Sequence, residues 1–170
     1  MPQQISREIQ AILAAVGGAA AVGSIVGLPH GTQALLAQGA TLPLILLAVG
    51  VVCSPALFIG AGLLGSKATV PHIARAVGQG TIAAGHTLLG FVPVALFLTA
   101  TRASATTPAV AVFGLIAIAV VAGLLRTWHA LIAESEDRHR LAAYFVCWSG
   151  ASLTLGGLLL FHSLRLGGGL

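Results

Sequence analysis

Five stretches without a single Asp, Glu, Lys or Arg, at residues 10–29, 41–65, 78–101, 108–125 and 142–164, account for most of this 170-residue chain. Each is close to the roughly 20 apolar residues that a helix rising about 1.5 Å per residue needs to cross a hydrocarbon core. Hydrocarbon offers a peptide group no partner, so a lipid-exposed segment must satisfy its own N–H and C=O, which leaves helices and closed barrels. The alternation of a barrel strand is missing from these runs. The sequence therefore predicts one all-α domain over residues 1–170, a polytopic transmembrane bundle of five spans. Composition points the same way: 57% of residues are hydrophobic and 7% charged, with a mean hydropathy of +1.00, whereas a soluble domain is about a quarter charged.

The sequence pI of about 10.1 suggests an anionic partner at first sight, but the basic residues are scattered rather than clustered, so no nucleic-acid partner is implied. Their distribution has a topological meaning instead. With five spans, Arg7, Lys67, Arg75, Arg126, Arg138 and Arg140 fall on one side and only Arg102 and Arg165 on the other. Positive residues are retained in the cytoplasm, so the N-terminus is expected inside and the C-terminus outside. The first apolar run is too long for the core of a signal peptide and reads as a retained helix. The lipid bilayer is the expected surrounding, as an integral protein of a bacterial cytoplasmic (inner) membrane. Cys53 and Cys147 lie in apolar runs, where they act as small hydrophobes and imply no disulfide framework.

The first run, AILAAVGGAAAVGSIVG, is mostly Ala and Gly and contributes little to insertion compared with Leu or Phe, so neighbours are expected to hold it. Ala19, Gly23 and Gly27 recur every fourth residue, and Ala119 and Gly123 repeat the spacing, forming narrow faces on which another backbone can approach closely. Packing within the chain is the economical reading, and a dimer face the sharper one. Pro43 is expected in the first turn of the second helix, where its missing N–H is harmless. Pro55 and Pro93 lie well inside their runs, as packing kinks or as hinges beside a pore or crevice.

Intramembrane charges are the usual mark of ion pathways and proton relays, and none lies within the five runs. Ser and Thr in such helices ordinarily bond back to the preceding turn. Six histidines raise the question of haem, but His86 would lie about 12 Å along the third span and His162 about 30 Å along the fifth, both entering from the inside. One iron does not join them. His86 is the one ionisable group expected well below the surface, either satisfied by a neighbouring carbonyl or near a path.

The connection RTWHALIAESEDRHR gathers Trp128, His129, Glu134, Glu136, Asp137, Arg138 and Arg140, as a solvated connector or a cytoplasmic docking site. It lacks recognised zinc spacings, and phosphate loops, GxSxG elbows and CxxC pairs are missing from the chain. No nucleophile, base and orienting group can be assembled, so no enzyme, cofactor or metal is expected.

The stretch TLPLILLAVGVVCSPALFIGAGLLGS, followed by HTLLGFVPVALFLTAT and a fourth apolar run, resembles bacterial relatives of the Yip membrane family, whose eukaryotic members interact with Rab GTPases. The resemblance covers roughly residues 20–125 and rests on apolar patterning, the SPALF and FVPVALF prolines and the LLGS ending. It implies five helices, N-terminus inside and C-terminus outside. The fifth run departs from that pattern, since an Arg-Pro-containing ending is missing and the chain closes on LRLGGGL.

Three functions follow as expectations. The first is a non-enzymatic accessory or scaffold subunit of a membrane complex, or a membrane organiser, with a membrane-protein partner or a homo-oligomer. The second is a channel or small-solute conduit formed by oligomerisation, with Pro55, His86 and Pro93 near the path. The third, a haem-binding electron-transfer subunit, is disfavoured by depth. The topology is testable directly: a reporter fused at Met1 is expected to read cytoplasmic and one fused after Leu170 external. Equal accessibility of both ends from one side requires an even number of spans.

Overall fold

A computed structural model describes residues 2–28, 31–64, 69–101, 107–132 and 138–166, of which 2–7, 107–110, 138 and 164–166 are described by their backbone alone. The described chain is five helices: α1 (Pro2–Gly27), α2 (Thr32–Leu63), α3 (Val70–Ala100), α4 (Thr107–Ile132) and α5 (Arg138–Leu166). All five are long and apolar enough to cross a membrane.

The helices outrun the apolar stretches that announce them. α2 begins nine residues before 41, α3 begins at Val70 rather than 78, and α4 continues to Ile132 rather than 125. Hydrophobicity marks where hydrocarbon contact ends, whereas a helix ends where its backbone finds other partners. Gly31, with φ of +99°, turns the chain into α2 and accepts the Leu35 amide. Pro71 in the first turn of α3 suits a position where the missing N–H costs nothing. Pro43 is a correction: α2 starts at Thr32, so this proline lies in the helix interior. Pro55 deprives the Val51 carbonyl of its usual amide, and Ser54 Oγ donates to that carbonyl at 3.1 Å.

Backbone proximity organises the bundle. α1 lies between α2 and α3, α4 packs on α3, and α5 packs on α2. A methyl group at Gly23 would strike Gln38 of α2, one at Gly27 would strike Ala34, and one at Gly18 would meet the Leu89 amide at 2.7 Å. α3 and α4 meet at Gly80 and Gly123, where a Cβ on either would stand 2.7 Å from the other's carbonyl oxygen. Such approaches supply van der Waals contact in a setting where lipid competes for every apolar side chain.

Two cores result. One joins Val22, Ile25, Leu42, Leu88, Ala95, Ile116 and Ala119 from α1 to α4. The other joins Leu57, Ala61, Ile73, Ala76, Leu131, Leu141, Phe145 and Trp148 from α2 to α5. The outer faces carry large apolar side chains such as Leu13, Leu44, Val51, Phe97 and Leu158, a surface suited to lipid or to other helices.

Gly80→Ala is expected to destabilise the protein by about 1–3 kcal/mol, because the added methyl overlaps backbone that cannot move aside. At Gly90 nothing lies within 4 Å of an added Cβ, so Gly90→Ala should leave the thermal midpoint in detergent unchanged or slightly raised. Equal losses in both variants would contradict the packing described.

Candidate functional site

The second core holds the N-terminal half of α5, and Leu160 farther along that helix packs on the first. Tyr144 donates its hydroxyl to the Ala56 carbonyl of α2, and Trp148 Nε1–H donates to the Cys53 carbonyl at 2.8 Å. Gly60 makes room for the Tyr144 ring, which an added Cβ would overlap. Phe145 lies between Trp128 of α4 and Trp148, with ring centroids 5.1 and 5.5 Å apart. Beyond this aromatic group α4 and α5 scarcely touch, although they are consecutive in the chain.

Two clefts flank the line along which α2 meets α3, and Leu46, Gly50, Val77 and Thr81 take part in both. The first, about 340 Å³, lies under the middle of α1 and is lined by Ile12, Val16, Val51 and Ile82 among others. The second, about 280 Å³, lies under the C-terminal half of α5 and is lined by Val49, Gly80, Thr127, Trp148, Ser152 and Gly156 among others. Both clefts border the first core, the first at Ala19 and the second at Leu42 and Ile116.

Polar side chains in this setting are nearly all spoken for locally. Thr81 donates to the Val77 carbonyl at 3.0 Å, Thr127 to Gly123 at 3.1 Å, Ser149 to Phe145 at 2.7 Å and Thr154 to Gly150 at 2.8 Å, as hydroxyls in apolar helices ordinarily do. Ser152 differs. It is 6% exposed, lines the second cleft, and its Oγ has no hydrogen-bond partner.

The residues singled out from sequence do not converge. Ala19 and Ala119 are buried in the first core, while Gly23 and Gly27 meet α2 and Gly123 meets α3. Pro55, His86 and Pro93 are exposed on the outside of the bundle and line neither cleft. The two clefts of this chain therefore do not involve the three residues expected near a conduit formed by oligomerisation. The His86 ring bonds the Ile82 carbonyl through Nδ1 at 2.9 Å, and His129 does the same with Leu125 at 2.7 Å. Trp128 is half-buried against Phe145, and Arg140 is exposed at the start of α5. Arg138 is described by its backbone, as the first residue of α5, and Glu134, Glu136 and Asp137 lie outside the described residues. Among the described residues no group of three His, Cys, Asp or Glu could hold a metal ion.

The residues that sequence reasoning missed are on α5. Tyr144, Trp148 and Ser152 occupy its inner face, and the opposite face presents Ala143, Cys147, Gly150, Thr154 and Gly157, all exposed. Their alternating spacing of four and three residues is that of a coiled-coil seam built from small side chains, and it was available in the sequence.

Comparison with known proteins gives no match to a family model, to a curated protein or to a solved structure.

Tyr144→Phe and Trp148→Phe should each lower the hydrogen-exchange protection of α5 amides by about 1 kcal/mol, the scale of an interhelical hydrogen bond in an apolar setting. Protection in α1 and α3 should be unchanged. A uniform loss across all five helices would show that α5 is not held separately.

Proposed function

We propose that the chain is a non-enzymatic integral membrane protein, oriented N-terminus inside and C-terminus outside in a bacterial inner membrane, that acts as an accessory subunit by docking a neighbouring transmembrane helix along α5. The observation that carries this reading is the exposed seam of Ala143, Cys147, Gly150, Thr154 and Gly157. Small side chains at coiled-coil spacing allow a second helix to approach to backbone distance, which is how helices associate where lipid is as apolar as they are. The small-residue faces of α1, α3 and α4 are covered within the chain. On α5 the corresponding face is open. The Yip resemblance suggests the same architecture without specifying the partner. No observation draws Pro55, His86 and Pro93 together, so the conduit reading has no comparable support.

Cys147 is a native probe, since it is exposed on the seam while Cys53 is half-buried facing the other way along α2. Mild oxidation or a short thiol cross-linker in native membranes is expected to yield an adduct through Cys147, with a second copy or with another membrane protein. Gly150→Leu should abolish it while leaving the protein folded and inserted. If Cys147 gives no adduct and the protein is recovered only as a monomer from mild detergent, the docking role fails.

A further inference from the structure

The second cleft lies against the inner face of α5, meets the seam only at Gly157, and calls for a different occupant. Its wall is apolar side chains, Trp148 among them, and the glycines Gly50, Gly80, Gly123, Gly156 and Gly157, and no charged residue lines it among the described residues. At about 280 Å³ it is nearly twice the volume of an engineered apolar cavity of roughly 150 Å³ that binds benzene. Three hydroxyls face this space. Thr81 and Thr127 have given their protons to their own helices. Ser152 has not, even though a back-bond to the preceding turn is the ordinary resolution for a serine in a helix.

A buried hydroxyl without a partner is unfavourable, and more so where no water competes to rescue it. A water placed here would need about three polar partners, and of the three lining hydroxyls Thr81 and Thr127 have acceptor capacity alone left, so Ser152 is the one uncommitted donor. A molecule that brings its own hydrocarbon and a single acceptor satisfies both properties of the site at once. The absence of lining charge excludes a phosphate or ammonium head group, whose desolvation nothing in the cleft offsets.

We propose that the cleft between α2, α3, α4 and α5 binds a neutral, lipid-soluble molecule carrying a carbonyl group, which accepts a hydrogen bond from Ser152 Oγ while its hydrocarbon lies along Val49, Val120 and Leu160. Because α4 and α5 scarcely touch each other, the ligand's expected route is between them, from the bilayer rather than from water. This inference rests on Ser152 and not on the seam, which shares only Gly157 with the cleft.

Trp148 lines the cleft and reports on it. In purified Trp128→Phe protein, where Trp148 is the remaining tryptophan, a brominated long-chain ketone is expected to quench fluorescence saturably. Adding Ser152→Ala should raise the half-saturating concentration of the ketone about three- to tenfold, the worth of one hydrogen bond of this kind. A brominated alkane of the same length should bind more weakly and be indifferent to that change. Ala117→Phe, on an exposed position of α4 at the cleft, should abolish saturable quenching by both probes without disturbing the cores. The proposal is overturned if ketone quenching rises without saturation, or if the ketone binds the Ser152→Ala protein as tightly as its parent.

Discussion

Close approach of backbones at α1 is the interaction on which the rest of the bundle depends. A helix of Ala and Gly has little side-chain area to bury and little to gain from lipid, so its place is decided by how near its neighbours can come. Gly18 admits α3, and Gly23 and Gly27 admit α2, on faces that diverge around the same helix. Because α1 occupies the space between α2 and α3, those two helices touch each other along a limited line near Gly50 and Thr81. The clefts on either side of that line follow from this arrangement. They are what remains when α1 to α4 pack at backbone distance and α5 must fit around them.

The two cores divide the work unequally. The first is knit from α1 to α4 with Leu160 of α5 packed against it, whereas α5 contributes buried residues to the second, through Leu141, Phe145 and Trp148. Its two hydrogen bonds to α2 go to the carbonyls of Cys53 and Ala56, which bracket Pro55. A proline in a helix distorts its preceding turn and tilts carbonyls away from the axis, a suitable place for side chains of another helix to donate. The kink that looks like a pore element in the sequence thus lies beside the anchor point of α5, with the ring of Pro55 itself turned outward.

Much of the architecture was legible because lipid solubility is a property of composition over about twenty residues, and composition is visible in the sequence. Helix number followed directly. Helix ends did not, since Ala34, Gln38 and Gly39 continue α2 through backbone packing on α1 rather than through hydrophobicity. The site was less legible for a related reason. In a chain that is apolar all round, periodicity does not separate the face that meets protein from the face that meets lipid. His86 drew attention through its chemistry, yet it lies on an exposed face and is occupied by its own helix. Ser152, one serine among several in sequence, is set apart only by its surroundings.

Those surroundings give α5 two faces with separate chemistry. The inner face is anchored at its N-terminal half by aromatic rings and continues through the buried Ser152 to Leu160, which packs on the first core, while the outer face presents small side chains from Ala143 to Gly157 beside the exposed Val146 and Leu158. The C-terminal half of α5 meets its neighbours through fewer large side chains than the N-terminal half, and a segment with fewer contacts costs less to shift. Filling the cleft adds contacts to that half, and contacts that order a segment favour whichever arrangement makes them.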